Sequence, residues 1–359
     1  MKPTIGLVLG FALLSSTALA GGTLTKDGHS RGAPVTLFQV TNLISNQEGM
    51  AANTDPNLVN PWGIAQGGTG PLWVSDNGTG LSTVYNHRTG EKQALTVTIP
   101  GGDPTGTVFV PPAQNGNTIF PVTEGENTAS SVFLFGTENG MIEGWSPSVD
   151  QTNAIVAVDN SDHKAVYKGI AISNGEERLY AADFQRNEVE IYDSNFNLIR
   201  RFTDPELPKH FAPFNVAVIA GEVYVAFAER EKGGIDNVNG PGLGYIDIFH
   251  RDGKLKTRLI SNGVLNAPWG MTIAPSNFGT FAGALLVGNF GDGRINAFNK
   301  TTGVLIGTLL DSTGTPIAID GLWGIEPRPV GSLTFSSGPN DEANGLVGSI
   351  APLQQTAQK

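Results

Sequence analysis

"NAPWGMTIAP" (residues 266–275) reads as the start of a buried strand, and it has two near-copies in the same chain, "NPWGIA" (60–65) and "DGLWGIEP" (320–327). The first gap between copies is about four times the second, so one step of about 52 residues fits both. The phrase then marks the first, fifth and sixth members of a repeat array.

The remaining members are visible in the segments that follow. "LWVSDNGTGLSTVYN" (72–86), "VFLFGTENGMIEGWS" (132–146), "LYAADFQRNEVEIYD" (179–193) and "LLVGNFGDGRINAFN" (285–299) align with one another. Each places an aromatic residue nine positions after a fixed point: Asp76 to Tyr85, Gly136 to Trp145, Asp183 to Tyr192, Asn289 to Phe298. A fifth stretch, 223–250, carries a longer loop, "EREKGGIDNVNGPGLG" (229–244), inside the same hairpin, and 333–350 begins in the same way and stops one strand early. Every repeat therefore reads as an inner strand followed by two hairpins. The inner strands are "NPWGIA", "PTGTVFV" (104–110), "YKGIAIS" (167–173), "PFNVAVI" (213–219), "APWGMTIA" (267–274) and "LWGIEP" (322–327). Six four-stranded antiparallel members define an all-β, six-bladed β-propeller. Gly inside the inner strand suits a crowded axis, where a Cβ would strike the neighbouring blade. The missing last strand is expected from "VTLFQVTNLIS" (35–45), which resembles "LKTRLISN" (255–262); its pairing with blade six would close the ring and remove an open edge.

Composition agrees. Gly is frequent (47 of 359), charged residues are few (15%), and β-branched and aromatic runs alternate with Gly, Asn, Asp and Pro. The formal charge of −11, with no basic run, argues against nucleic acid and anionic membrane as partners. With no cysteine, neither disulfides nor thiolate metal sites can form. The opening "MKPTIGLVLGFALLSSTALA" (1–20) has the layout of a cleaved export signal. The expected organisation is thus a signal at 1–20, one propeller domain over 21–350, and a flexible tail at 351–359, in a secreted or periplasmic protein that is monomeric and not inserted in a membrane.

"NLVNPWGIA", "APWGMTIAPSNFGTFAGALLVGNFGDGRINAFN", "DGLWGIEP" and "GPNDEANGLVGSI" resemble a family of secreted bacterial propeller proteins of uncharacterised function, some of whose members carry a PEP-CTERM sorting tag. More remotely the chain is similar to NHL-repeat and gluconolactonase-like propellers. The resemblance implies a fold, not an activity. This chain lacks the sorting tail, and it has Gln185 where the family is associated with His, which argues against a His metal ligand there.

In an up-down-up-down blade, the start of the inner strand and the turn between the second and third strands lie at the same end. That end is expected to gather a ligand-binding mouth from Asn60, Asp76, Asp183, Asn215, Asn289, Asp320, Asn340 and Asp341, with Asp103, Lys168, Asn266, Asn77, Glu138, Glu229, Arg230 and Glu342 in the same registers. Of these, Asp76, Asp183, Asn289 and Asp320 are the candidate ligands for a divalent cation, Ca²⁺ above all, because Ca²⁺ takes six to eight oxygen ligands. Turn-forming Asp and Asn have an equally direct structural reading, since their side chains bond nearby backbone. His163 and His210 approach the same face without metal-binding spacing, and no G-x-S-x-G elbow is present. The recurring third-strand aromatics read as interblade packing. The function expected is an exported binding or interaction module that takes a small molecule, glycan or protein at the mouth. The alternative is a lactonase-like, divalent-metal-dependent hydrolase or lyase acting on a small metabolite or polysaccharide fragment.

Overall fold

A residue two positions along a strand returns to the same face, so the Trp-Gly phrase can send Trp toward one neighbour and Gly toward another. The computed structural model, which describes residues 35–113, 116–173 and 178–353, shows why both are needed. Six sheets stand around one axis. Blade one consists of Pro61–Gln66, Leu72–Asp76, Leu81–Tyr85 and Lys92–Thr98, in that spatial order from the axis outward. Blade two has Pro104–Phe109, Phe133–Thr137, Met141–Trp145 and Ile155–Asp159; blade three has Tyr167–Ser173, Arg178–Asp183, Glu188–Tyr192 and Leu198–Phe202. Blade four has Phe211–Ile219, Glu222–Glu229, Tyr245–Phe249 and Leu255–Ser261; blade five has Pro268–Ile273, Leu285–Asn289, Ile295–Phe298 and Leu305–Thr308. Each inner strand packs on the inner strand of the next blade, and that of blade six on that of blade one.

Blade six is built from both ends of the described chain. Leu322–Pro327, Leu333–Ser337 and Leu346–Pro352 are followed in space by Phe38–Ser45, which pairs antiparallel with Leu346–Pro352 from Phe38↔Pro352 to Ser45↔Leu346, with a bulge between Asn42 and Ile44. The short strand Asn53–Thr54 adds a parallel fifth member. The ring is therefore closed by an N-terminal strand, which begins at Phe38. One boundary differs from expectation: the strand that receives it runs to Pro352, past the expected domain end at 350, because Phe38 and Gln39 pair with Pro352 and Ala351. The signal segment 1–20 and residues 354–359 of the expected tail lie outside the described residues.

An ideal Cβ on Gly63 would sit 2.6 Å from the Thr105 carbonyl oxygen and the Thr107 nitrogen; one on Gly270 would sit 2.6 Å from the Trp323 carbonyl oxygen. Both obstacles are backbone of the next inner strand and cannot swing away. Blade four is the exception, with Asn215 in the Gly register; its amide crosses the gap and donates to the Trp269 carbonyl oxygen at 2.8 Å.

The third-strand aromatics pack between blades. Tyr85 joins Val347 of blade six, Trp145 joins Trp73 and Val84 of blade one, Tyr192 joins Leu134 and Ile142 of blade two, Phe249 joins Tyr180 and Val189 of blade three, and Phe298 joins Tyr224 and Ile248 of blade four. Blade two also contains an insertion the repeat did not announce: after Phe109 the chain forms the hairpin Pro121–Glu124/Asn127–Ser130 before returning at Phe133. Among the described residues, no helix is long and apolar enough to cross a membrane.

Candidate binding site at the channel mouth

One residue precedes the Gly-register position in each inner strand, and together these six cross the axis: Trp62, Thr105, Lys168, Phe214, Trp269 and Trp323. Trp62 and Trp323 stack at 3.6 Å between ring centroids, and Trp269 stands edge-on to both, at 6.2 and 5.7 Å. With Phe184 and Phe214 they form a buried aromatic plug. Burial of so many aromatic faces rigidifies this layer, and the indole N–H groups need acceptors there. Trp323 Nε1 donates to Asn60 Oδ1 (3.0 Å) and Trp269 Nε1 to the Lys168 carbonyl oxygen (3.0 Å), whereas Trp62 Nε1 has no partner among the described residues.

Lys168 occupies an aromatic position in this layer. Its side chain is only 2% exposed, and its ammonium lies 2.5 Å from Glu138 Oε1, 3.5 Å from Asp236 Oδ1 and 5.1 Å from the Trp62 ring centre. A cation taken from water at such a site persists only when it is paired and hydrogen-bonded. The pairing extends around the ring. Asn77 Nδ2 donates to Glu138 Oε2 (2.8 Å); Asn60 Nδ2 donates to Asn77 Oδ1 (3.1 Å) and to Glu342 Oε2 (2.5 Å). With the Trp323 and Trp269 bonds, this belt ties residues from all six blades at one end of the channel.

Above the plug lies a cavity of about 380 Å³, floored by Trp62, Lys168, Phe290 and Trp323. Five carboxylates line it, from Glu138, Asp236, Asp320, Asp341 and Glu342, against the single ammonium of Lys168. Asp236, Asn237 and Asn239 come from the long blade-four loop. Asn340, Asp341 and Glu342 take left-handed backbone conformations in succession (φ 58°, 50° and 65°), and the Asn340 N–H donates to Asp320 Oδ2 at 2.9 Å. Burial raises the Glu342 carboxyl above its ordinary range; the Asn60 hydrogen bond opposes this, Glu138 and Asp236 add to it, and Lys168 counteracts it.

Of the eight residues expected at the mouth, Asp320 and Asp341 line it, Asn60 belongs to the belt beneath it, and Asn340 shapes its wall. Four are corrected. Asn215 lies on the far side of the plug, between inner strands four and five. Asp76, Asp183 and Asn289 end second strands, and their side chains turn back into their own blades, fully buried. Asp76 accepts from Thr83 Oγ1 (2.7 Å), and burial raises its carboxyl well above the usual range. Asp183 accepts from the Val166 and Arg186 N–H groups (3.1 and 3.0 Å), and burial pushes it to about 7. Asn289 donates to the Val264 carbonyl oxygen (2.8 Å) and to Asp292 Oδ1 (3.0 Å).

Asp76, Asp183, Asn289 and Asp320 therefore do not converge on one Ca²⁺: the first three are fully buried in blades one, three and five, and only the fourth reaches the mouth. Among the described residues, the acidic trio with ligating atoms within 4.8 Å of one another is Asp183, Glu188 and Glu190, and Arg186 and Arg201 already occupy it, with contacts of 2.8 Å (Arg186 to Glu188) and 2.9 Å (Arg201 to Glu190). His163 and His210 are exposed, on turns leading to different inner strands. Sequence reasoning placed Lys168 at this end but missed Trp62, Phe290, Trp323 and Asp236 as lining; the Trp-Gly register contained the signal for the floor, because Lys168 stands where Trp62 and Trp323 stand.

No family model matches the chain. Two proteins of Acanthamoeba polyphaga mimivirus, "Uncharacterized protein R648" and "Uncharacterized protein L690", are each 34% identical to it, over 335 and 332 residues. The alignments cover 89% of this chain and 82% and 87% of the two relatives. Among solved structures, virginiamycin B lyase from Staphylococcus aureus superposes with a TM-score of 0.50 at 11% identity, covering 89% of this chain and all of that one. A luciferin-regenerating enzyme superposes with a TM-score of 0.53 at 12% identity, covering 83% of this chain and 92% of that one. At such identities these likenesses concern the propeller fold alone.

Proposed function

The chain belongs to the family of the mimivirus proteins R648 and L690, and we propose that in it the propeller is a binding module that takes a small organic polycation at the channel mouth. The observation that carries this is the ratio of five carboxylates to one ammonium in a single cavity, with that ammonium already paired. Low-dielectric walls focus such a field on the entrance. The carboxylates at the mouth are not among those that converge within ligating distance of one another, so they suit a ligand with several spaced N–H donors better than a bare metal ion. The belt holds Glu138 and Glu342 in place before a ligand arrives, which lowers the ordering cost of binding. Asp236 adds a further carboxylate from the long blade-four loop.

Residues 1–20 support reading the module as exported, with cleavage after Ala20; N-terminal sequencing of the secreted chain should begin at Gly21, and an uncleaved product retained in the cytoplasm would refute this. For the mouth, spermidine is the probe. Titration calorimetry should give one saturable site that weakens with salt. The double variant Asp320→Asn, Asp341→Asn should lose at least tenfold in affinity while keeping its melting temperature. Unchanged binding by that variant, or no saturable binding by the wild type, would overturn the proposal.

A further inference from the structure

Below the plug, at the other end of the same axis, a second cavity of about 350 Å³ is lined by all six inner strands. Its side chains are mainly apolar, among them Ile64, Ile170, Val216, Met271 and Ile325, and among the described residues one alone is ionisable, that of Glu326. The other polar side chains there are already engaged. Gln66 Nε2 donates to the Gly70 carbonyl oxygen (2.7 Å), Thr107 Oγ1 to that of Leu134 (3.1 Å), and Asn215 Nδ2 to that of Trp269 (2.8 Å). Glu326 has no hydrogen bond or ion pair among the described residues. The strands packed against its own are Pro61–Gln66, Pro268–Ile273, Leu285–Asn289 and Leu333–Ser337, and none contains an ionisable residue. Arg328, two residues on, is committed to Thr334 Oγ1 and the His87 carbonyl oxygen.

A half-buried carboxylate without a partner, set in an apolar tube, is a costly feature that a complementary ligand would relieve. We infer that this cavity is a second binding site, separate from the mouth, for a primary alkylammonium: its nitrogen donates to the Glu326 carboxylate while its chain lies along the inner-strand side chains. The inner strands are paired on one side only, so their free edges offer carbonyl oxygens for the remaining N–H groups. The volume falls within the range of small-ligand pockets. Desolvation alone pushes the Glu326 carboxyl to about 7, so in the empty protein it is largely protonated below neutrality.

The test is calorimetric titration with n-hexylammonium chloride, and with 1-hexanol as the uncharged counterpart, from pH 6 to pH 8. Hexylammonium should bind with one-to-one stoichiometry and tighten about tenfold over that range as Glu326 ionises, whereas hexanol should not tighten. Glu326→Gln should lose at least tenfold in hexylammonium affinity, bind hexanol undiminished, and leave spermidine binding as in the wild type. Asp341→Asn, at the mouth, should leave hexylammonium binding unchanged. Absence of saturable hexylammonium binding, a flat pH profile in the wild type, equal affinity in Glu326→Gln, or loss in Asp341→Asn alone would each overturn the assignment. The wild-type pH profile decides the matter even if the Gln variant folds poorly.

Discussion

Phe38→Ala separates a closed ring from a propeller with a loosely attached arm. Phe38 is fully buried; its ring lies 4.7 Å from Phe278 and 6.1 Å from Phe281, both in blade five, and it shares a cluster with Phe335 and Ile350 of blade six. Its backbone N–H donates to the Leu310 carbonyl oxygen at 2.9 Å. Truncation thus leaves a cavity where the first described strand joins the last two blades, and a buried Phe→Ala change costs about 3–5 kcal/mol. At about 2 °C per kcal/mol for a large domain, the melting temperature should fall by about 6–10 °C. Urea denaturation gives the free energy directly, and Gln39→Ala, on the exposed face of the same strand, should stay within about 0.5 kcal/mol of wild type. A loss below about 1 kcal/mol for Phe38→Ala, or one equal to that of Gln39→Ala, would show that the strand does not close the ring.

Gly270→Val should destabilise by about 1–3 kcal/mol or more, because the added Cβ meets backbone of the next inner strand; a stable variant by urea titration would mean that the blades can part easily. In the Lys168–Glu138 pair, Glu138→Gln should cost more stability than Lys168→Met, since the ammonium left behind is 2% exposed while the carboxylate is 18% exposed; the reverse order in denaturant melts would refute the pairing. Burial, with Asp204 adjacent, pushes Asp247 up to about 8. The folded state therefore holds a proton that the unfolded chain releases near pH 4, so this group's stabilisation is complete below pH 4 and is lost as pH rises through about 8. Asp247→Asn should flatten the decline of melting temperature between pH 5 and 8, a slope worth up to about 1.4 kcal/mol per pH unit; an unchanged profile would contradict the shift.

The ring was legible because its causes repeat. Crowding at the axis forces Gly or Asn into one register, interblade packing forces an aromatic into another, and closure needs one extra strand, which Phe38–Ser45 supplies. The site was harder to read because Asp and Asn at strand ends have two physical uses that look alike in sequence. Asp76, Asp183 and Asn289 share a register since each ends a second strand and bonds inside the fold, to Thr83 of the third strand, the Val166 N–H and the Val264 carbonyl oxygen respectively, whereas Asp320 and Asp341 reach the mouth from a connection and a turn of blade six. Lys168 was visible as a polar residue at an inner-strand start, but its meaning depends on stacking against Trp62, which only the closed ring creates. The third-strand residues Glu143, Glu190 and Asp247, each two positions before an aromatic, formed a readable register of buried acids that sequence reasoning passed over.

Crystals grown with hexaamminecobalt(III), a rigid polycation rich in N–H donors, would locate the cation-seeking site through the anomalous signal of cobalt. The account predicts a peak above the Trp62–Trp323 floor, within reach of Glu138, Asp236 and Asp341. Cobalt found only on the outer faces of the blades, with none at the mouth, would contradict it.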